Sequence, residues 1–182
     1  MNPFLSDTLI VQQTSSFLSN NFEIYNPDGE VVIRIKTEGS LGSRLVKGDR
    51  RFTLEDAFGT PLMQVRDPMN FVRDTYEIDD PNGNPIAHVR KRFTFFNKRM
   101  DIELPGDRVI EMHGNFLGFE FEFRMGDRIP AKVTRKWSGA GNGYLGRSTY
   151  ALIFDEEAPD EIRKVIIGGM VALDLIRVKE RN

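Results

Sequence analysis

A run of twelve residues near the C-terminus, residues 165–176, carries one charged side chain, Asp174, among apolar residues and glycines. The apolar side chains would point in every direction around a helix, so no face of that helix is left for water. The run is shorter than the about 20 residues that span a membrane. This segment must therefore be buried on all sides within the protein.

Helix boundaries are indicated on both sides of the run. Pro159, followed by two acids, suits a first helical turn, because its missing N–H is not needed there and the acids face the positive end of the helix dipole. Basic residues at positions 177, 179 and 181 suit the opposite end. The pattern predicts a helix over about residues 159–177.

The chain before this helix is built from short alternating segments. A loose unit of alternating apolar residues, a polar turn, a glycine and a later apolar residue recurs around Gly29, Gly59, Gly83, Gly106 and Gly126. Alternation with a period of two, bounded by turn residues, is typical of half-buried strands in hairpins. The uneven spacing indicates a meander rather than a solenoid. Strands are predicted from about residue 8 to residue 154.

These two parts together predict the architecture. A closed sheet of roughly a dozen tilted strands leaves a lumen that one helix can fill, and closure hides the sheet edges. Gly168, Gly169 and Ala172 would let barrel side chains approach the helix backbone. We therefore predict one mainly β domain over residues 1–182, an antiparallel closed barrel of about twelve strands around a central C-terminal helix. A two-sheet sandwich that grips the helix is the alternative.

Composition and charge exclude several classes of function. The net charge of −2 provides no global basic field, so nucleic acid is not an expected partner. The chain has no cysteine, which excludes disulfides, thiolate metal sites and a thiol nucleophile. The first 21 residues contain no cationic segment followed by an apolar one, so no secretory signal or transmembrane segment is expected. We expect a cytoplasmic protein, with peripheral membrane contact at most.

The C-terminal third resembles the LURP-one-related proteins, relatives of the phospholipid scramblases and of the Tubby C-terminal domain. The resemblance lies in residues 114–117, 119–123, 131–137 with Trp137, 149–152 and the apolar helix that ends at Leu173-Asp174. Residues 22–29 and 50–62 resemble that family's first hairpins. The resemblance implies a twelve-stranded barrel around a central C-terminal helix, with Trp137 in a structural role.

The chain also departs from those relatives. Scramblases carry a proline-rich N-terminal arm and palmitoylated cysteines, and this chain has neither. The acidic stretch 155–161 stands where scramblases bind calcium but does not match residue by residue, and acids at a helix start are explained by the dipole. Tubby-type domains bind phosphoinositides through basic residues whose positions do not map onto this chain. The resemblance to this family therefore predicts the fold of the chain but not its activity.

Sequence motifs give little support for catalysis. Residues 141–146 satisfy G-x-G-x-x-G but precede an alternating strand, whereas a dinucleotide site requires a helix there, so we interpret them as a hairpin loop. His88 and His113 are too few for a three-histidine zinc site, and no serine lies in G-x-S-x-G. We expect no enzyme, no cofactor and no metal.

Asp174 is unusual as a carboxylate inside the apolar helix. An unpaired buried charge costs several kcal/mol, so we interpret Asp174 as a structural acid near the barrel mouth that pairs with an arginine or with backbone donors. The alternative is a functional buried acid with a raised pKa.

Basic residues form two clusters that are candidates for binding anionic headgroups. They are Arg44, Lys47, Arg50 and Arg51 in the first, and Arg90, Lys91 and Arg92 in the second, with residues 98 and 99 nearby. Each cation near an anionic membrane contributes about 1 kcal/mol, enough for weak, salt-sensitive attachment. The alternative is a solvated barrel exterior with acids interspersed.

The sequence as a whole therefore favours a non-catalytic binding or scaffold domain that recognises anionic lipid. A protein-binding module without lipid activity is the second hypothesis, and an unrecognised enzyme is the third. A helix that fills the lumen would leave no cavity for a carried small molecule, which argues against a lipocalin-like carrier.

Overall fold

Twelve antiparallel strands close into a barrel around a long C-terminal helix in the computed structural model of the chain, which describes residues 3–12, 22–37, 50–68, 75–93, 98–116, 118–135 and 149–181. The strands are β1 (Thr8–Gln12), β2 (Phe22–Tyr25), β3 (Val31–Thr37), β4 (Arg50–Asp56), β5 (Pro61–Asp67), β6 (Thr75–Asp79), β7 (Pro85–Phe93), β8 (Lys98–Leu104), β9 (Arg108–Asn115), β10 (Glu120–Met125), β11 (Arg128–Thr134) and β12 (Thr149–Phe154). A 3-10 turn (Pro3–Leu5) precedes β1, and helix α1 (Asp160–Arg181) follows β12.

Each strand pairs with its neighbours along the chain, and β12 closes the sheet by pairing with β1. In that closing pair Thr8 lies opposite Ile153 and Gln12 opposite Thr149. Because the sheet is closed, every strand has a hydrogen-bonded neighbour on both sides. The predicted barrel is confirmed, and the two-sheet alternative is wrong.

The strands form because apolar and polar residues alternate, so that one face of each lines the lumen. In β5, Met63 and Val65 are fully buried, whereas Gln64 between them is partly exposed. Tight turns join the strands at one end of the barrel. In the β6–β7 turn, Gly83 adopts a φ of +86°, and the carboxylate of Asp80 accepts backbone hydrogen bonds from residues 82 and 84. The hydrogen bonds from Asn84 hold the pKa of Asp80 below its ordinary value.

Helix α1 fills the lumen. Its side chains from Ile162 to Arg177 are buried apart from Lys164. It begins one residue after the predicted start and ends at Arg181, four residues beyond the predicted end. The helix continues past position 177 because neither glycine nor proline stands at positions 178–181 to stop it.

Arg163 joins the start of α1 to the N-terminal turn. Its guanidinium is buried and donates hydrogen bonds to the carbonyl oxygens of Phe4 (3.3 Å), Ser6 (3.2 Å), Ala158 (2.9 Å) and Asp155 (2.9 Å). It also forms an ion pair with Asp7 at 2.7 Å. One side chain thus satisfies backbone carbonyls from both ends of the chain and fixes where the helix enters the barrel.

Glycines in the middle of α1 let the barrel wall approach closely. A Cβ atom added to Gly168 would lie 2.8 Å from Cδ1 of Ile78, and one added to Gly169 would lie 2.5 Å from Cδ1 of Ile102. Both isoleucines are fully buried on the lumen side of their strands. The two glycines therefore set the depth at which β6 and β8 pack against the helix.

Candidate functional site

The barrel has two different ends. We call the end where α1 begins the entry end, which carries the turns at residues 26–30, 56–60, 80–84, 104–108 and 125–128. The opposite strand ends, where α1 finishes, form the exit end. The antiparallel order fixes this arrangement, since every second connection lies at the same end.

The described turns of the entry end are rich in acids. Exposed or partly exposed acids stand in these turns and around the start of α1, together with the exposed Arg108 and Arg128; the acids are Asp28, Asp56, Asp80, Asp107, Asp127, Asp155, Glu156, Glu157, Asp160 and Glu161. Near the exit ends of the described strands, the outward-facing Lys36 and Arg99 form ion pairs with acids, whereas Arg51 forms none with a described side chain.

The structure describes part of the predicted headgroup-binding set. Arg44 and Lys47 lie outside the described residues, as does Trp137. Arg50 and Arg92 are placed by their backbones in β4 and β7, without a described side chain. Arg51, Arg90 and Lys91 are described in full.

The described members of the two predicted clusters lie on separate strands. Arg50 and Arg51 belong to β4 and residues 90–92 belong to β7, with β5 and β6 between them, which corresponds to about 14 Å at the usual strand spacing. Alternation with the buried Ala87 and Val89 places Arg90 on the outer face and Lys91 on the lumen side of β7, opposite the buried Met100. Strand order, which the sequence clusters do not reveal, separates these cations.

Arg66 on β5 is a basic residue that the sequence analysis missed. It lies directly opposite the exposed Arg51 in the β4–β5 register, so two guanidinium groups share one stretch of the outer surface. The signal that could have found it is the hairpin around Gly59, although a register shift between Leu54 and Glu55 decides that residue 66 lies opposite residue 51.

Acids on neighbouring strands neutralise several of these cations. Arg66 forms ion pairs with Glu77 at 2.6 Å and with the buried Asp79. Arg90 pairs with Glu103 on β8 at 3.1 Å. No ion pair between described side chains involves Arg51. Among the predicted residues whose side chains the structure describes, Arg51 is therefore the exposed one with a charge available to a ligand.

A second ion-paired group lies further round the barrel. Arg99 on β8 pairs with the buried Asp101 at 3.1 Å and with Glu111 on β9. His113, two residues further along β9, hydrogen-bonds Glu111 at 2.8 Å. The ion pair between Arg99 and Glu111 joins β8 to β9 on the outside of the barrel, as cross-strand pairs of opposite charge do.

Asp174 lies near the exit end, where its carboxylate accepts a hydrogen bond from the Tyr150 hydroxyl at 2.8 Å. Tyr150 stacks on Phe119, with ring centroids 4.4 Å apart, and the Arg177 guanidinium lies 3.8 Å from the centre of the Phe119 ring. Burial, followed by the Asp174 charge, raises the pKa of Tyr150 well above its ordinary value. These four side chains form a buried network of aromatic and charged groups near the exit end of the barrel.

The acidic stretch before α1 has structural contacts of its own. The Asp155 carboxylate accepts the backbone N–H of Glu157 at 2.9 Å, and Glu161 forms an ion pair with Arg108 at 2.8 Å. Within the ranges that the structure describes, no group of three or more acidic or histidine side chains is placed to hold a metal ion. The predicted loop with the G-x-G-x-x-G pattern lies outside those ranges.

Together these features define a class of protein, the antiparallel barrel of twelve strands closed around its own C-terminal helix. The family model of the LURP-one-related proteins matches residues 7–174. The chain belongs to the LURP-one-related family, as its sequence resemblance indicated.

A solved structure supports the same fold. The X-ray structure of a protein from Arabidopsis thaliana matches with a TM-score of 0.62 at 16% identity, covering 97% of this chain and 96% of that one. A search of curated proteins found no significant match. In the part of the chain that the structure describes, no helix has both the length and the hydrophobicity needed to cross a bilayer.

Proposed function

We propose that the protein is a non-catalytic binding domain that recognises anionic phospholipid headgroups through cations on the outer face of β4 and β5. The observation that carries the proposal is the exposed Arg51, which forms no ion pair with a described side chain, in contrast to Arg66 opposite it on β5. A phosphate group accepts bidentate hydrogen bonds from a guanidinium group, so Arg51 offers the donor geometry that a headgroup phosphate prefers.

The position of Arg51 supports a membrane ligand. Arg51 is the second residue of β4, near the exit end, and the acidic turns lie at the opposite end of the barrel. An anionic bilayer would therefore attract Arg51 and would be repelled by the acids of the described turns. Arg44, Lys47 and Arg50 are included in the proposal because they precede Arg51 in the sequence, whereas Arg90, Lys91 and Arg92 belong to a separate strand.

A binding role without catalysis is supported by the partners of the buried acids. Asp79 and Asp101 are held by arginines, and Asp174 accepts a hydrogen bond from Tyr150. A general acid or base needs a reactant within reach, and these carboxylates are enclosed by their partners.

The experiment is vesicle flotation with phosphatidylcholine vesicles that contain or lack a phosphoinositide. Each cation near an anionic surface contributes about 1 kcal/mol, so reversing the charge of Arg51 should reduce binding by at least about tenfold. We expect binding to phosphoinositide vesicles to fall strongly in Arg51→Glu, to fall further in Arg50→Glu/Arg51→Glu, and to vanish at high salt.

Lys132→Glu is the matched control. Lys132 is exposed on β11, on the other side of the barrel, and the substitution changes the net charge by the same amount. Binding that falls equally in Lys132→Glu and Arg51→Glu would reduce the effect to net charge and refute the site. Binding that is insensitive to both salt and Arg51→Glu would refute the function.

A further inference from the structure

An apolar groove lies at the entry end, between the β10–β11 turn and the start of α1. It has a volume of about 210 Å³, and its apolar lining is formed by Met125, Ile129, Pro130, Ala158, Pro159 and Ile162. The groove is smaller than the about 300–1,000 Å³ of ordinary small-molecule pockets. Its size suits one apolar side chain presented by a larger partner.

Exposed apolar side chains mark the same end of the barrel. Three large apolar side chains are exposed among the described residues, Leu5 (67%), Phe58 (82%) and Ile129 (45%), and all three lie at the entry end. Ile129 is the one that lines the groove. Exposed apolar surface next to a pocket is typical of a protein-binding site, where one anchor side chain carries much of the affinity.

The charge around the groove selects the partner. Asp155 and Glu157 line it, and Asp127, Glu156 and Asp160 are exposed beside it, whereas Arg128 is the cation among the lining residues. No hydrogen bond between described residues uses the carboxylates of Glu156 or Glu157. Such a rim attracts Lys and Arg and repels anionic lipid and a second copy of the same acidic end.

We infer that this groove docks a peptide segment of another protein in which an aliphatic side chain stands between lysines or arginines. The aliphatic side chain enters the groove against Ile129 and Ile162. The flanking cations lie over Asp155 and Glu157. This second surface is distinct from the proposed lipid surface, which lies on β4 and β5 near the exit end.

The test uses a fluorescein-labelled peptide with one leucine between pairs of lysines, and a second peptide with glutamates in place of the lysines. Fluorescence anisotropy with the full chain should give saturable binding of the first peptide, weakened by added salt, and no binding of the second. Binding of neither peptide, or of both equally, would overturn the proposal.

Two variants with matched controls localise the binding. Ile129→Ser should weaken binding of the lysine peptide about tenfold, as loss of a central anchor does, whereas Phe58→Ser removes an exposed apolar side chain from a distant turn and should leave binding unchanged. Glu157→Lys should weaken it by a similar factor, whereas Asp28→Lys makes the same charge change on the β2–β3 turn and should have little effect.

The remaining outcomes are also decisive. Because Glu157 is exposed, Glu157→Lys keeps the test valid even if Ile129→Ser fails to fold. Concentration-dependent dimers in sedimentation that Ile129→Ser abolishes would assign the groove to a second copy and overturn the peptide proposal. Vesicle flotation of Ile129→Ser should match that of the unaltered chain, so that failure here and failure of lipid binding remain distinguishable.

Discussion

At the scale of single residues, Tyr150 and Asp174 form a polar contact in a lumen that is otherwise largely apolar. The phenol is fully buried and donates to the Asp174 carboxylate at 2.8 Å. Because burial and the adjacent charge raise the pKa of Tyr150 above 10, the unfolded chain loses the phenolic proton before the folded chain does. The contribution of this pKa difference to the free energy of unfolding is fully present below pH about 10. It is lost as the pH rises toward the pKa that Tyr150 has in the folded protein.

Tyr150→Phe should therefore have two effects. At pH 7 it removes a hydrogen bond to a buried charged group and should lower the free energy of unfolding by about 1.5–3 kcal/mol. Between pH 9 and pH 11 the variant should lose less additional stability than the unaltered chain. Urea unfolding followed by circular dichroism at both pH values measures this.

Tyr25→Phe is the control for that comparison. The Tyr25 hydroxyl also donates to a carboxylate, that of Glu23 at 2.9 Å, but Tyr25 is partly exposed. Tyr25→Phe should therefore lower the free energy of unfolding only slightly at pH 7. If both substitutions lowered the free energy of unfolding equally, burial would not make the contact of Tyr150 with Asp174 more stabilising than an exposed one.

At the scale of elements, the glycines of α1 decide how closely the helix and the barrel pack. Gly169→Ala improves helix propensity by about 1 kcal/mol but places a Cβ atom 2.5 Å from Cδ1 of Ile102. Overpacking of a dense core costs about 1–3 kcal/mol. We expect Gly169→Ala to lower the free energy of unfolding by up to about 2 kcal/mol.

A double-mutant cycle with Ile102→Val tests the cause of that loss. Valine lacks Cδ1, so the added methyl group would meet Cγ1 at 3.2 Å instead. Ile102→Val alone should cost about 0.5–1.5 kcal/mol, and Gly169→Ala should cost less in that background than in the unaltered chain. An identical cost of Gly169→Ala in both backgrounds would contradict the close-approach explanation.

The elements also show why some features were readable from the sequence and others were not. The apolar run 165–176 has no polar face, so the sequence alone predicts that it is buried. The alternating hairpins are the part of the chain that can surround it, so the sequence also predicts the barrel. Arg163 left no such signal, because two of the carbonyl oxygens that it binds belong to residues that lie 159 and 157 positions away. The pairing of Arg51 with Arg66 depends on hairpin register, and the separation of Arg51 from Arg90 depends on strand order.

At the scale of the whole molecule, acids collect in the described turns of the entry end. Every second connection of an antiparallel barrel lies at the same end, so the residues that form tight turns collect there. In two of these turns, the carboxylates of Asp56 and Asp80 accept backbone N–H groups. The same residues that form the turns make the entry end acidic. A lipid surface near the exit end and a peptide groove at the entry end would then face opposite directions, so both could be occupied at once.

The stability of the whole barrel should depend on α1. The helix supplies the lumen with buried apolar side chains at Ile162, Val165, Ile166, Ile167, Met170, Val171, Leu173, Leu175 and Ile176. Full burial of one such side chain contributes about 1.5–3 kcal/mol, and the net stability of a domain is about 5–15 kcal/mol, so the strands alone cannot replace this contribution.

Truncation before Pro159 should therefore leave a chain without a cooperative thermal transition, which binds a hydrophobic dye and precipitates. Truncation after residue 177 is the control, because it keeps every helix side chain that is described as buried while removing residues 178–182. This shorter deletion should melt cooperatively, with a modest decrease in melting temperature. Differential scanning calorimetry separates the two cases. A cooperative transition in the chain ending at residue 158 would mean that the strands form a stable barrel around an empty or collapsed lumen, contrary to the packing described for α1.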